Sequence, residues 1–382
     1  MQNLPEHFES FSEAKRNGFL KIMELKRQAG KQVVGVFCSY TPAELITAAG
    51  AIYVSLCGTG EEGIEQAEQH LPKNYCPLIK SSYGLAMSDS CPYFYFSDMI
   101  LAETTCDGKK KMYELMGRLK PTHVMMLPHN PTLPASEELW LSEIHRAKEA
   151  LEKQFHVTIT DEAIREAIHQ KNQERQAMVR LYEIGKLKPC PVSGYELNNI
   201  ISSTGFLFTG EQRLDRMQTR YQQLLEEYEL HYKGKPSPPR ILITGCPIDG
   251  VSDKVLKEIE SQGASVVAFE NCSGPRTQKD LVDESIEPYR ALARRYLRIS
   301  CSVMSPNTKR YEALEEMIRE YQIDGVVEVV LNCCHTYAAE SYSVRELVQK
   351  KLGIPVLSIT TDYSTSDSGQ LSTRIGAFLE ML

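Results

Sequence analysis

No run of apolar residues in this chain of 382 residues approaches the roughly 20 that a helix needs to cross a bilayer, and a membrane span is excluded. The opening Met1-Gln-Asn-Leu-Pro-Glu-His-Phe-Glu has neither a basic n-region nor an apolar h-region, so a cytoplasmic location is expected. Basic charge is not in excess either. The formal net charge of −7 argues against a nucleic-acid surface, because neutralising phosphates requires a basic face. The local cluster Lys109-Lys-Lys111 is expected to form a solvated helix face. Two further absences concern chemistry. None of the 11 cysteines forms a C-x-x-C pair, the spacing that structural zinc favours. No G-x-x-x-x-G-K-S/T phosphate loop occurs, so a reaction driven by ATP would need another protein to hydrolyse it.

What is present is an alternation of apolar runs and amphipathic segments, the pattern of doubly wound parallel sheets. The length favours two domains. Strands are expected at Lys31–Cys38, Ala51–Leu56, Ser97–Thr105 and Thr122–Leu127, then at Arg240–Cys246, Ala264–Phe269, Gly325–Cys334 and Pro355–Ile359. Between the two groups the sequence is almost wholly helical: Ala135–Phe155, Asp161–Ile184 and Glu211–Tyr232, interrupted by the prolines around Cys190. Lys233-Gly-Lys-Pro-Ser-Pro-Pro239 reads as a linker. The expected fold is therefore two Rossmann-like α/β domains, 1–135 and 236–382, facing each other, with a helical insert over 136–235. Gly58-Thr-Gly-Glu-Glu-Gly63 matches the dinucleotide fingerprint formally. The match is rejected because Glu61 and Glu62 would oppose a pyrophosphate and because it follows a second strand; a flexible loop is expected instead. Thr41-Pro42 is expected to open a helix, with Thr41 as its cap and Pro42 as its first residue.

The cysteines are the functional signal. Met99-Ile-Leu-Ala-Glu-Thr-Thr-Cys106 and Gly325-Val-Val-Glu-Val-Val-Leu-Asn-Cys-Cys334 are buried-strand patterns that end in thiols just before a helix, where open sheets bind ligands. Cys38, Cys76, Cys106, Cys246, Cys272, Cys301 and Cys334 all fall at strand ends or helix starts. A cysteine taken singly is more often core filling, yet core cysteines would fall inside elements as often as at their tips. Thiolates scattered over the tips of two sheets suit an iron–sulfur cluster, which needs no compact ligand spacing. Helix N-termini beside them would direct partial positive charge at an anionic cluster.

Phe37-Cys-Ser-Tyr-Thr-Pro-Ala-Glu-Leu-Ile-Thr-Ala-Ala-Gly50, Cys76-Pro-Leu-Ile-Lys80, Thr105-Cys-Asp-Gly-Lys-Lys110, and Thr361-Asp-Tyr-Ser with Gly369-Gln-Leu-Ser-Thr-Arg374 resemble the 2-hydroxyacyl-CoA dehydratase and benzoyl-CoA reductase component family. Gly245-Cys-Pro247, Cys301-Ser-Val-Met-Ser-Pro-Asn307 and Cys334-His-Thr-Tyr337 make the chain most similar to that family's double-cubane cluster proteins. The resemblance implies ligands to a 4Fe–4S cubane at Cys76, Cys106 and Cys334. A second cubane, giving a bridged 8Fe–9S cluster, would add Cys301 and Cys272, with Cys38 and Cys246 competing for the last place. Cys333 is assigned to structure, and Cys57 and Cys190 to packing or surface. Ser39, Tyr40, His335, Tyr337, Glu340 and Tyr363 are candidates to line a substrate cavity, and His335 is the one chosen as catalytic. The resemblance further implies a homodimer and a transient ATP-dependent iron–sulfur activator that delivers single electrons in an anaerobic setting to reduce a small-molecule substrate. The alternatives are a 2-hydroxyacyl-CoA dehydratase component with one 4Fe–4S cluster, and a non-enzymatic cluster carrier.

Overall fold

The computed structural model describes residues 4–272 and 274–382; Met1–Asn3, part of the start read above, and Ser273 lie outside the described residues. All eight expected strands form, six of them shorter than their apolar runs: β1 Val33–Val36, β2 Ile52–Ser55, β3 Met99–Glu103, β4 Thr122–Met125, β5 Arg240–Gly245, β6 Ser265–Glu270, β7 Gly325–Leu331 and β8 Val356–Thr361. They make two four-stranded sheets, ordered β2-β1-β3-β4 and β6-β5-β7-β8. Every pairing is parallel. Within each sheet all carboxyl ends therefore lie along one edge.

Burial follows position in the sheet. Every residue of β3, β5 and β7 is buried, as expected for parallel strands covered on both faces, which read as continuous apolar runs. The edge strands β2, β4 and β8 are only partly covered. β6 is an edge strand in its pairing, yet it is buried over five of its six residues because the helix Gly194–Thr204 packs against it. That helix lies in the stretch where only longer helices and a proline-rich break were expected.

The chain divides into two compact units, one of residues 1–171 with 282–297 and the other of 172–281 with 298–382. The boundary at 171/172 falls inside the helix Asp161–Glu183. The first helix is Glu13–Ala29, ended by Gly30 in the left-handed conformation. No helix among the described residues is long and apolar enough to cross a membrane.

Two local expectations are corrected. The helix after β1 is Ala43–Ala48, with Pro42 in the capping position and no side-chain cap. The Thr41 hydroxyl instead donates to the buried Glu103 carboxyl group. The loop 58–63 is packed against the helix Pro77–Met87. The Gly58 N–H donates to the Ser82 hydroxyl at 2.8 Å, and a Cβ on Gly84 would stand 1.6 Å from the Gly63 carbonyl oxygen. These glycines permit close backbone contact.

Candidate functional site

In both sheets the strand order reverses at the centre, between β1 and β3 in the first unit and between β5 and β7 in the second. The carboxyl ends flanking such a reversal form the crevice in which open α/β sheets bind ligands. In the first unit Cys38 lies two residues past β1 and Cys106 three past β3. In the second, Cys246 directly follows β5 and Cys334 lies three past β7. The outer strands match as well, with Cys57 two residues past β2 and Cys272 two past β6. Each unit thus carries three tip cysteines in corresponding places.

Three of the thiols also stand at helix starts. Cys76, Cys106 and Cys334 occupy the capping positions of the helices Pro77–Met87, Asp107–Met116 and His335–Arg345. Partial positive charge from free N–H groups gathers there. Cys106 has extended backbone at the cap. Before Cys334, Cys333 has φ 60°, the left-handed turn that carries the chain from β7 into the helix. Gly245, at φ 110°, has no room for a side chain: a Cβ would stand 2.2 Å from the Val329 carbonyl oxygen. This brings Cys246 close under β7, where it is 1% exposed and its sulfur accepts from the Leu331 N–H at 3.3 Å. Cys38, Cys76, Cys106, Cys272, Cys301 and Cys334 are half-buried, and Cys333 is exposed.

In the first unit, one charge turns inward. Lys110 and Lys111 are exposed, as expected of a solvated face, but half-buried Lys109 sends its ammonium to the Phe37 carbonyl at 3.1 Å. The Cys57 thiol donates to the same carbonyl at 3.1 Å. Burial opposes the charge on Lys109, yet Cys57, Tyr113, Cys38 and Cys106 around it hold it well above the ordinary lysine value. Behind it, Glu103 at the end of β3 is fully buried. Thr41 donates to one carboxyl oxygen, and the other has no partner among the described residues. Burial pushes this carboxyl up to about 8, against the opposing pull of Thr41 and Lys109, so Glu103 is a neutral acid at pH 7.

The second unit places a denser network beside its tips. Arg276, in the short turn Pro275–Thr277 after β6, donates to Glu270 at 3.0 Å, to the Tyr337 hydroxyl at 2.6 Å and to the Cys272 sulfur at 3.3 Å. Arg310 donates to Glu270 and Thr244 at 3.1 Å and 3.0 Å, and also to Glu340. Asn307 ties Glu340 to the Cys301 carbonyl, at 2.7 Å and 2.9 Å. Burial alone would raise the Glu270 carboxyl, but Arg310 and Arg276 hold it below the usual range. Burial raises the Tyr337 phenol well above its ordinary value, and the neighbouring Cys301 and Cys272 raise it further against Arg276 and Arg310.

The structure therefore groups the expected residues by unit: Cys38, Cys76 and Cys106 in the first, Cys246, Cys272, Cys301 and Cys334 in the second. Among the described residues, no three His, Cys, Asp or Glu side chains are gathered to hold a metal ion. His335 is exposed on the first turn of its helix. Tyr40 and Tyr363 are buried, and Tyr337 and Glu340 are bound into the arginine network. Cys190 is core: its thiol donates to the Val192 carbonyl at 3.2 Å, and burial pushes it up to about 11. Lys109, Glu103, Arg276 and Arg310 were not anticipated. The signal for Lys109 was available, since it stands three residues from Cys106 on the same helix face.

A family model described as 2-hydroxyglutaryl-CoA dehydratase, D-component, matches residues 38–382. A protein of Escherichia coli (strain K12) named as a candidate dehydratase subunit, YjiM, is 47% identical over 380 residues, covering 100% of this chain and 99% of its own. The (R)-phenyllactyl-CoA dehydratase beta subunit of Clostridium sporogenes is 25% identical over 388 residues, covering 100% of both chains. A benzoyl-CoA reductase subunit of Thauera aromatica is 22% identical over 361 residues, covering 92% of this chain and 91% of its own.

Proposed function

The chain belongs to the 2-hydroxyglutaryl-CoA dehydratase D-component family, and from that premise we propose that it is the iron–sulfur component of a reductase. In this reading it carries a double-cubane 8Fe–9S cluster, receives low-potential electrons from a separate ATP-hydrolysing activator, and reduces a small substrate. When bound, such a cluster supplies one-electron transfer at low potential.

The observation that carries the reading is the placing of the thiols. Cysteines end the two strands that flank the reversal in each sheet, and a helix opens on Cys106 and on Cys334. The donor chemistry fits: cysteine sulfurs hold iron–sulfur clusters, and helix N-termini with Lys109 and Arg276 place positive charge beside them, where an anionic cluster would be compensated. Cys76, Cys106 and Cys334 are the ligands of one cubane, and Cys272, Cys301 and Cys38 those of the second. Cys38 is preferred to Cys246 because it is half-buried, whereas the Cys246 sulfur lies under β7 and is engaged by the Leu331 N–H. The chain's own residues would bind the cluster, compensate its negative charge and limit water at it. Relatives are named as alpha and beta subunits of dehydratases, which supports partner proteins; a homodimer docked transiently by the activator is the assembly proposed.

Iron and acid-labile sulfide on anaerobically purified protein test this. About eight irons and about nine sulfides per chain are expected from the ligand set. About four of each would point to the single-cubane dehydratase component, and stoichiometric zinc without iron would sink both.

A further inference from the structure

The tip cysteines of the two units correspond in place but differ in their cation. In the first unit the Lys109 ammonium is engaged by the Phe37 carbonyl. In the second, the Arg276 guanidinium touches sulfur directly, 3.3 Å from Cys272. Arg276 is held there without freedom: its side chain is 2% exposed, Glu270 and Tyr337 fix two of its nitrogens, and the Ser300 carbonyl accepts at 3.4 Å, one residue before Cys301. Its Nε is buried without a partner among the described residues. Glu270 neutralises one positive charge and Glu340 a second, so Arg276 and Arg310 leave the network balanced before any sulfur ionises. The nitrogen that donates to Tyr337 is the one that also reaches the Cys272 sulfur.

We propose that Arg276 is a positioning residue for the iron–sulfur centre: its N–H···S hydrogen bond holds Cys272 in ligating orientation and stabilises the extra negative charge of the reduced state. The inference rests on the reading of Cys272 as a ligand. Hydrogen bonds to cluster sulfurs and nearby positive charge raise the reduction potential, and groups that orient a ligand are commonly worth about 10–100-fold in metal affinity. Lysine can keep the ion pair with Glu270 but has no planar fork to reach sulfur, Tyr337 and Glu270 together.

The test compares the full-length wild type with Arg276→Lys and Arg276→Gln, each reconstituted anaerobically with iron and sulfide. The readouts are iron retained after desalting, the rate of iron release to a chelator, the midpoint potential followed by electron paramagnetic resonance, and the thermal unfolding midpoint. Arg276→Lys is expected to keep its fold, release iron roughly 10-fold faster, and show a more negative midpoint. Arg276→Gln is expected to shift further in the same direction. A purely structural role would lower the unfolding midpoint while leaving the potential of the loaded protein unmoved. Arg276→Lys with wild-type release rate and potential overturns the proposal, whether or not Arg276→Gln folds. Wild-type protein that takes up no iron overturns instead the cluster reading on which the proposal stands.

Discussion

Glu103→Gln isolates the charge that the first unit cannot hold comfortably. The carboxyl is fully buried at the end of β3, accepts from Thr41, and has an ordinary value of 4.5 that burial raises to about 8. The unfolded chain thus releases this proton near pH 4.5, while the folded chain keeps it up to about pH 8. Between those values the folded state binds the extra proton, so stability falls as pH rises and levels off above about 8. The interval is about 3.5 pH units, and at about 1.4 kcal/mol per unit the loss is at most about 5 kcal/mol. Relaxation around the charge trims this to about 3–5 kcal/mol. Glutamine keeps the shape and the oxygen that Thr41 bonds, but has no proton to lose. Urea unfolding at pH 5, 7 and 9 should therefore find Glu103→Gln close to wild type at pH 5 and more stable by about 3–5 kcal/mol at pH 9. All other titrating groups are common to both proteins and cancel in the difference. Parallel curves, separated by a constant within about 1 kcal/mol across this range, would refute the buried neutral acid.

Arg310 is 0% exposed and pairs with Glu270 and Glu340, so Arg310→Met should cost about 3–5 kcal/mol by stranding buried carboxylate charge. At about 2–4 °C per kcal/mol, calorimetry should find a midpoint lowered by roughly 6–20 °C; a fall under about 3 °C would contradict the network's role. Cys106→Ser and Cys334→Ser should remove or fragment the cluster in anaerobic iron and sulfide assays, whereas Cys190→Ser, at a core thiol bonded to the Val192 carbonyl, should keep wild-type iron. Iron lost in Cys190→Ser and kept in the other two would reverse the ligand assignment.

What could be read in the sequence and what could not divides along a physical line. The strands announce themselves because β3, β5 and β7 are buried on both faces, and burial on both faces leaves unbroken apolar runs. Their cysteines could be placed because a residue two or three positions past a strand is fixed by the chain itself. Partners across the fold are a different matter. Thr41 looked like a cap because capping is a local rule, and a buried carboxyl group 62 residues away took its hydroxyl instead. Arg276 lies in a turn with no periodicity; Glu270 and Cys272 are its near neighbours along the chain, but Tyr337, 61 residues away, reaches it only across the fold. Lys109 stands between the two cases. Three consecutive helical residues sweep about 200° of the helix, so three successive lysines need not share one environment. The lysine that turns inward is the one sharing a face with Cys106, and it ends on the loop that carries Cys38. Charge runs beside strand-tip thiols are therefore better read residue by residue, by the angle each takes around its helix, than as one solvated patch.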